Sequence, residues 1–319
     1  MRWAILALAA LWSSVPPATA ASYRANGPIE RRYAAEGPWE TTTTVSTGAC
    51  DRENNVCDIW YPTRLGSNPL KGMTSGFRHP VVVFANGTAE RVPAEKNAYL
   101  LRHLASWGFI VIRSRDGSTG QGDTVIDATN HLLDLSRDPA SVFYGKVDAG
   151  NIGLAGHSQG AATAALLFSR NSTLFKTYVP IATPLRAVCV VADCTIDLGA
   201  LPKVTRGSIF YVGGDLDVIS SLPTNVGYYL PTANGVDKVM GMIALGGHTE
   251  IEGSPDCASG GIPASCNLGV YPLLGYPTAW FMWKLQGADD GRAAFADDGE
   301  LATDAPGWLG VLSNVPRRP

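Results

Sequence analysis

The sequence carries little charge, and neither sign prevails. Asp, Glu, Lys and Arg make up 17% of the 319 residues, and 25 basic against 28 acidic side chains leave a formal net charge of -3. The basic residues are scattered, with no stripe to follow a phosphate backbone, which excludes nucleic-acid binding as the main role. There are five histidines and six cysteines, with no paired histidines and no C-x-x-C, so a zinc site has no ligand spacing to rest on. No internal repeat or low-complexity tract occurs. Beyond the N-terminus no apolar run is long enough to span a bilayer, so stable membrane insertion is not expected.

What is present is a leader and a globular remainder. Residues 1–20 read as a secretory signal peptide: Arg2 gives the positive start, residues 4–12 the apolar core, and Ala18-Thr19-Ala20 the small-residue cleavage site. The protein is therefore expected to be secreted or periplasmic. Residues 21–319, in a chain that is 45% hydrophobic, are expected to form a single α/β domain with a sizeable core. The cysteines fall as three local pairs, Cys50 with Cys57, Cys189 with Cys194 and Cys257 with Cys266. Sequence does not fix their connectivity, and local loops are the simplest arrangement for an exported chain.

Hydrophobic periodicity outlines the elements. Residues 21–39 are polar and aperiodic and read as an extended arm. Strands are expected at 41–47 and 56–61, paired antiparallel, then at 80–85, 109–112, 152–155, 177–181, 208–212 and, as the last strand, 239–245. Helices are expected over 93–107, over 123–136 with Asp123 as N-cap, in the alanine-rich stretch around Leu166, and as an amphipathic closing helix at 278–285. Residues 193–203 read as a loop or short helix. Alternating strands and helices argue an α/β fold with a mostly parallel central sheet and helices on both faces.

One stretch organises the rest. Residues 151–170 read N-I-G-L-A-G-H-S-Q-G-A-A-T-A-A-L-L-F-S-R: an apolar strand, then G-x-S-x-G, then a helix. That context makes the pattern a nucleophile elbow, in which Gly156 and Gly160 leave room for a sharp turn that lifts Ser158 clear of the sheet. A serine nucleophile needs a base, and the base an orienting acid, each delivered after a strand in the order Ser, Asp or Glu, His. His79 lies before a strand, His103 and His131 sit in helical patterns, and His157 is locked beside Ser158. His248, in Gly246-Gly247-His248 after the strand at 239–245, alone has the right context. Its role predicts loss of rate as it protonates on acidification.

The acid is expected after the strand at 208–212, where Asp215 and Asp217 are both candidates. Asp217 is favoured, and one of the two is expected to stabilise its loop through an Asx turn instead. Asp193 and Asp197 are weaker because no strand delivers them. An oxyanion hole needs two backbone donors, for which Gln159 N–H and Thr88 N–H are the candidates. Asn86-Gly87-Thr88 and Asn171-Ser172-Thr173 both match glycosylation sequons; Asn86 reads as structural, because a glycan there would obstruct the site.

Taken together, V-V-V-F-A-N-G-T-A (81–89), G-L-A-G-H-S-Q-G (153–160), F-Y-V-G-G-D-L-D (210–217), G-G-H (246–248) and T-A-W-F-M-W-K-L-Q-G (278–287) resemble the serine α/β-hydrolases, and more narrowly the secreted cutinase-like and polyester-hydrolase group. The resemblance implies an α/β-hydrolase fold and a serine carboxylic-ester hydrolase, with Ser158 as nucleophile, His248 as base, Asp217 as acid and Thr88 and Gln159 as oxyanion donors. It implies no cofactor and no metal, and an ester substrate, small or polymeric. Polyester hydrolases of the group often carry an aromatic residue where Thr88 stands, methionine where Gln159 stands, and tryptophan where Leu185 follows Thr183-Pro184. Two aromatic surfaces for clamping a substrate ring are therefore missing, which argues against aromatic polyesters. An acyltransferase, a lipase and a non-catalytic binding member are the alternatives on the same scaffold.

Overall fold

The computed structural model describes residues 23–88, 97–258, 265–304 and 306–317, so the leader at 1–20 lies outside the described residues. A nine-stranded sheet runs through the protein in the order β1-β2-β4-β3-β5-β6-β7-β8-β9. Its strands are β1 (Thr41–Val45), β2 (Cys57–Pro62), β3 (His79–Ala85), β4 (Ile110–Ser114), β5 (Val147–His157), β6 (Thr177–Ile181), β7 (Ser208–Gly214), β8 (Asp237–Ile243) and β9 (Trp308–Ser313). The six strands from β4 to β8 in that order are parallel, and β1, β2 and β9 are antiparallel to their neighbours.

The helices are α1 (Pro28–Ala34), α2 (Ala98–Ser106), α3 (Asp123–Leu135), α4 (Gln159–Ser169), α5 (Arg186–Ala192), α6 (Leu222–Tyr229), α7 (Tyr271–Leu274), α8 (Tyr276–Gln286), α9 (Asp289–Ala293) and α10 (Glu300–Thr303). Strand residues alternate between two cores. Val82, Phe84 and Val111 pack with Leu100 and Leu104 of α2 and Trp280 and Phe281 of α8. Val81, Val83, Ile110 and Leu154 pack with Val125 and Leu132 of α3 and Ala162 and Leu167 of α4. Both faces of the sheet are thus covered, which is why β3 and β4 are buried at every position rather than at alternate ones.

Several elements depart from the sequence reading. The arm contains helix α1, whose Ile29 and Glu30 N–H groups donate to the Glu300 carboxylate at 2.9 and 2.7 Å, a cap supplied from the other end of the chain. Strand β5 starts at Val147, five residues before the run at 152–155, with an irregularity opposite His79 and Val81 of β3. Gly122, at φ 91°, caps α3, and Asp123 is its first helical residue. The strand at 239–245 is not the last, because β9 follows and seals the sheet beyond β8. Helix α8 is not amphipathic. It is buried from Tyr276 to Met282, because α1, α7 and α9 pack over the side that does not face the sheet.

His79, at the start of β3, is fully buried. Its Nε2 accepts from Gly66 N–H at 2.9 Å, and Nδ1 lies 2.8 Å from the Gly108 carbonyl, so the neutral imidazole with a proton on Nδ1 satisfies both partners. Burial pushes its pKa down from 6.5 to about 4. An unfolded chain therefore takes up this proton near pH 6.5 while the native protein refuses it until about pH 4. Stability contributed above that window is lost as pH falls through it, on the order of 3 kcal/mol from this residue. Buried His103 acts in the same direction, whereas buried Glu30 and Glu250, whose pKa values are raised, act in the opposite one. Urea unfolding of wild type and His79→Gln at pH 7 and pH 4.5 isolates the His79 contribution. The stability lost between the two conditions is expected to be smaller in the variant; an equal loss in both would refute the assignment.

Candidate active site

The C-terminal ends of β3, β5, β7 and β8 converge on one edge of the sheet, the place where open α/β sheets hold ligands. Ser158 stands between β5 and α4 at φ 52° and ψ -114°, a conformation L-residues avoid. The turn survives because the residues two places to either side, Gly156 and Gly160, have no side chains. A Cβ on Gly156 would lie 2.3 Å from the Gly160 carbonyl oxygen, and one on Gly160 would lie 2.1 Å from that of Ala85. Ser158 N–H donates to the Ile181 carbonyl at 3.0 Å, which ties the turn to β6.

Three side chains from separate loops meet here. His248 Nε2 lies 3.0 Å from Ser158 Oγ, and His248 Nδ1 lies 2.7 Å from Asp217 Oδ2. The Asp217 side chain is wholly buried, whereas Ser158 and His248 reach solvent. The other oxygen of Asp217 accepts from Ile219 N–H at 2.8 Å and Ser220 N–H at 3.0 Å. Asp217 thus makes the Asx turn itself. The division of labour expected between Asp215 and Asp217 is absent, since Asp215 is exposed and its backbone N–H donates to Ile243. Asp193 and Asp197 stay apart from His248: Asp193 caps α5, and Asp197 accepts from Ala200 N–H.

The remaining histidines are placed elsewhere. His103 lies in α2 and His131 in α3. His157 Nε2 lies 2.8 Å from the His248 carbonyl oxygen, and the two rings are 5.1 Å apart. The sequence reading located His157 beside Ser158 but missed this link, which depends on a loop 91 residues away.

Gln159 opens α4, so its N–H belongs to the first helical turn, where donors have no partner within the helix. Its buried side chain is a cross-link that sequence gave no sign of. Oε1 accepts from Thr119 N–H at 3.1 Å, and Nε2 donates to the carbonyls of Ala192 and Asp193 at the end of α5. Thr88 lies just past β3 at the same edge and is exposed. Asn86 behind it is 1% exposed, and its Nδ2 donates to the Ser114 and Asp116 carbonyls at 2.7 Å each. An amide so engaged cannot accept a glycan in the folded protein, in line with the structural reading. Asn171 is only partly buried, with Oδ1 accepting from Thr205 N–H at 2.7 Å.

The cysteines pair locally, as Cys50–Cys57, Cys189–Cys194 and Cys257–Cys266. Glu250, Cys257 and Cys266 stand close enough together to suggest metal ligands, but both sulfurs are spent in a disulfide and offer no thiolate. Among the described residues no helix is long and apolar enough to cross a membrane. No family model matches the chain, and no curated protein matches it in sequence.

Proposed function

We propose that this protein is a secreted serine esterase of the α/β-hydrolase type, akin to the cutinase-like group. The observation that carries the proposal is the unbroken chain Ser158 Oγ, His248 Nε2, His248 Nδ1, Asp217 Oδ2, with contacts of 3.0 and 2.7 Å. Ser158 attacks the ester carbonyl carbon while its proton passes to His248 Nε2. The oxyanion is held by the N–H groups of Thr88 and Gln159. The C–O bond then breaks, the departing alkoxide takes the proton from Nε2, and the acyl group remains on Ser158. Water repeats the sequence, giving its proton to His248 and releasing the carboxylic acid. Asp217 keeps the Nδ1 proton in place and stabilises the imidazolium that forms twice per turnover. These steps need no metal or organic cofactor.

Apolar residues frame the site. Val190 and Val191 of α5, Leu216 and Val218 beside Asp217, and Leu245 ahead of His248 are all exposed. Leu185 N–H donates to Ile219, and Leu216 N–H to Gly246, so the three loops form one continuous rim. This rim favours esters with apolar acyl or alcohol parts, and the absence of an aromatic residue at positions 88 and 185 disfavours aromatic ones.

An alkyl fluorophosphonate, which reacts only with an activated serine, tests the proposal directly. Intact-mass measurement is expected to show one adduct, mapped to the Ser158 peptide, forming in step with loss of activity on aliphatic esters. Adduct formation without loss of ester turnover, or turnover persisting in fully labelled protein, would remove the assignment.

A further inference from the structure

His248 is not held by the sheet. Strand β8 ends at Ile243, and the imidazole stands on the loop beyond it. A loop residue of this kind needs an external clamp if its ring is to stay within a fraction of an ångström of the hydroxyl it serves. The clamp is visible on both sides of it. Gly247 N–H, immediately before, donates to Glu250 Oε1 at 2.7 Å. Thr249 N–H, immediately after, donates to the Ser265 carbonyl at 2.9 Å, and the two hydroxyls of Thr249 and Ser265 lie 2.9 Å apart.

Glu250 is the centre of this arrangement. Its carboxylate is buried and takes four backbone N–H donors. Oε1 accepts from Gly247 and Asn267 at 2.7 and 2.8 Å, and Oε2 from Leu268 and Gly269 at 2.8 and 2.7 Å. Burial pushes its pKa up, and these donors pull it down. An apolar or amide side chain could not take all four, and each N–H left without an acceptor in this buried place would destabilise the loop. The segment that supplies three of the donors follows directly on Cys266, which is anchored by its bridge to Cys257, and the two sulfurs lie 3.8 and 3.4 Å from Oε2. Space is also exhausted: a Cβ on Gly247 would lie 2.2 Å from the Ser265 carbonyl oxygen.

We propose that Glu250 is a positioning residue for His248, acting through a carboxylate-centred clamp that joins the 247–250 turn to the disulfide-anchored 265–269 segment. The proposal rests on the esterase reading, because it gives Glu250 its effect through the imidazole and through nothing else. Glu250 touches no reacting atom. Its negative charge is needed because only an ionised carboxylate offers acceptors to all four donors at once.

The prediction is a double-mutant cycle on an activated aliphatic ester, using wild type, Glu250→Gln, His248→Ala and the combination. Glu250→Gln is expected to lower kcat by about 10²-fold with KM changed by less than about twofold, the scale of loss that a misplacement near 1 Å produces. In the His248→Ala background, where no imidazole remains to be placed, the same change is expected to cost less than about twofold. A merely structural role would give equal fractional losses in both backgrounds, following the loss of folded protein, and would overturn the proposal. So would a folded Glu250→Gln protein with wild-type kcat. If His248→Ala itself leaves kcat unchanged, the esterase reading fails first and the proposal falls with it, a result distinct from the other two.

A second measurement does not depend on turnover. In Ser158→Ala protein, the proton between His248 Nδ1 and Asp217 is expected to give a resolved low-field resonance. Glu250→Gln is expected to broaden it or raise its exchange rate, and an unaltered resonance would count against the clamp. Should Glu250→Gln not fold, Cys257→Ser/Cys266→Ser removes the anchor next to the 267–269 donors while leaving the carboxylate. It is expected to lower kcat in the His248 background alone, and a loss of equal size without His248 would refute the proposal.

Discussion

Replacing Ser158 by alanine is expected to lower kcat for ester hydrolysis by about 10⁶-fold, with binding of substrate little affected. The size follows from the role: without the hydroxyl no acyl-enzyme forms, and the oxyanion donors and binding contacts are left to act alone. Thermal unfolding of the variant is expected to stay close to wild type, because Ser158 reaches solvent and its backbone strain is unchanged by a methyl side chain. Ser158→Gly separates the two properties. Glycine tolerates φ 52° and ψ -114° without the penalty a side chain incurs, so this variant is expected to be inactive yet more stable than wild type, by roughly 1 kcal/mol. Steady-state kinetics with a chromogenic aliphatic ester, together with calorimetry, checks both. Retention of even a hundredth of wild-type rate in Ser158→Ala would be fatal to the mechanism.

The second large effect distinguishes the two aspartates. Asp217→Asn is expected to lower kcat by about 10⁴-fold near neutral pH, because an amide in place of Oδ2 can offer a donor to Nδ1 and so favour the wrong tautomer of His248. Asp215→Asn is expected to change kcat by less than about threefold, since that side chain is exposed and its loop is held through backbone N–H groups. Asp217→Asn also loses the ionised acceptor for Ile219 and Ser220, so its unfolding midpoint is expected to fall modestly while Asp215→Asn keeps its own. Kinetics and urea unfolding on the two variants in parallel give the answer. Reversed magnitudes would move the acid role to Asp215.

The central parallel strands and the three converging residues were readable because local chemistry dictates them. The runs at 80–85, 109–112, 152–155, 177–181, 208–212 and 239–245, which form the centres of the six parallel strands, carry no charged side chain, and G-x-S-x-G admits few backbone solutions between a strand and a helix. His248 and Asp217 stand out because each follows a strand within a few residues. What was missed depends on partners distant in the chain. Helix α1 has a glycine at its N-cap position and owes its capping bonds to Glu300. Strand β9 contains Gly310 and exposes Leu309 and Leu312, so it lacks the pattern of a half-buried strand. Helix α6 begins Leu222-Pro223-Thr224-Asn225, a run whose composition suggests a turn, and is fixed by Asn225 donating to Ser220 and Ser221. The burial of Glu250 has no local signature at all: a glutamate after His248 reads as an ordinary surface residue until the 265–269 segment folds over it.

The three disulfides join cysteines only 7, 5 and 9 residues apart. Closing such short loops contributes on the order of 2 to 3 kcal/mol each, less than a bridge closing a long loop would. Their proximity has a consequence for which cysteines pair. With partners 7, 5 and 9 residues apart, bringing each pair together costs less loop-closure entropy than joining either member to a cysteine of another pair, so the local pairings are the favoured ones even in an unfolded chain.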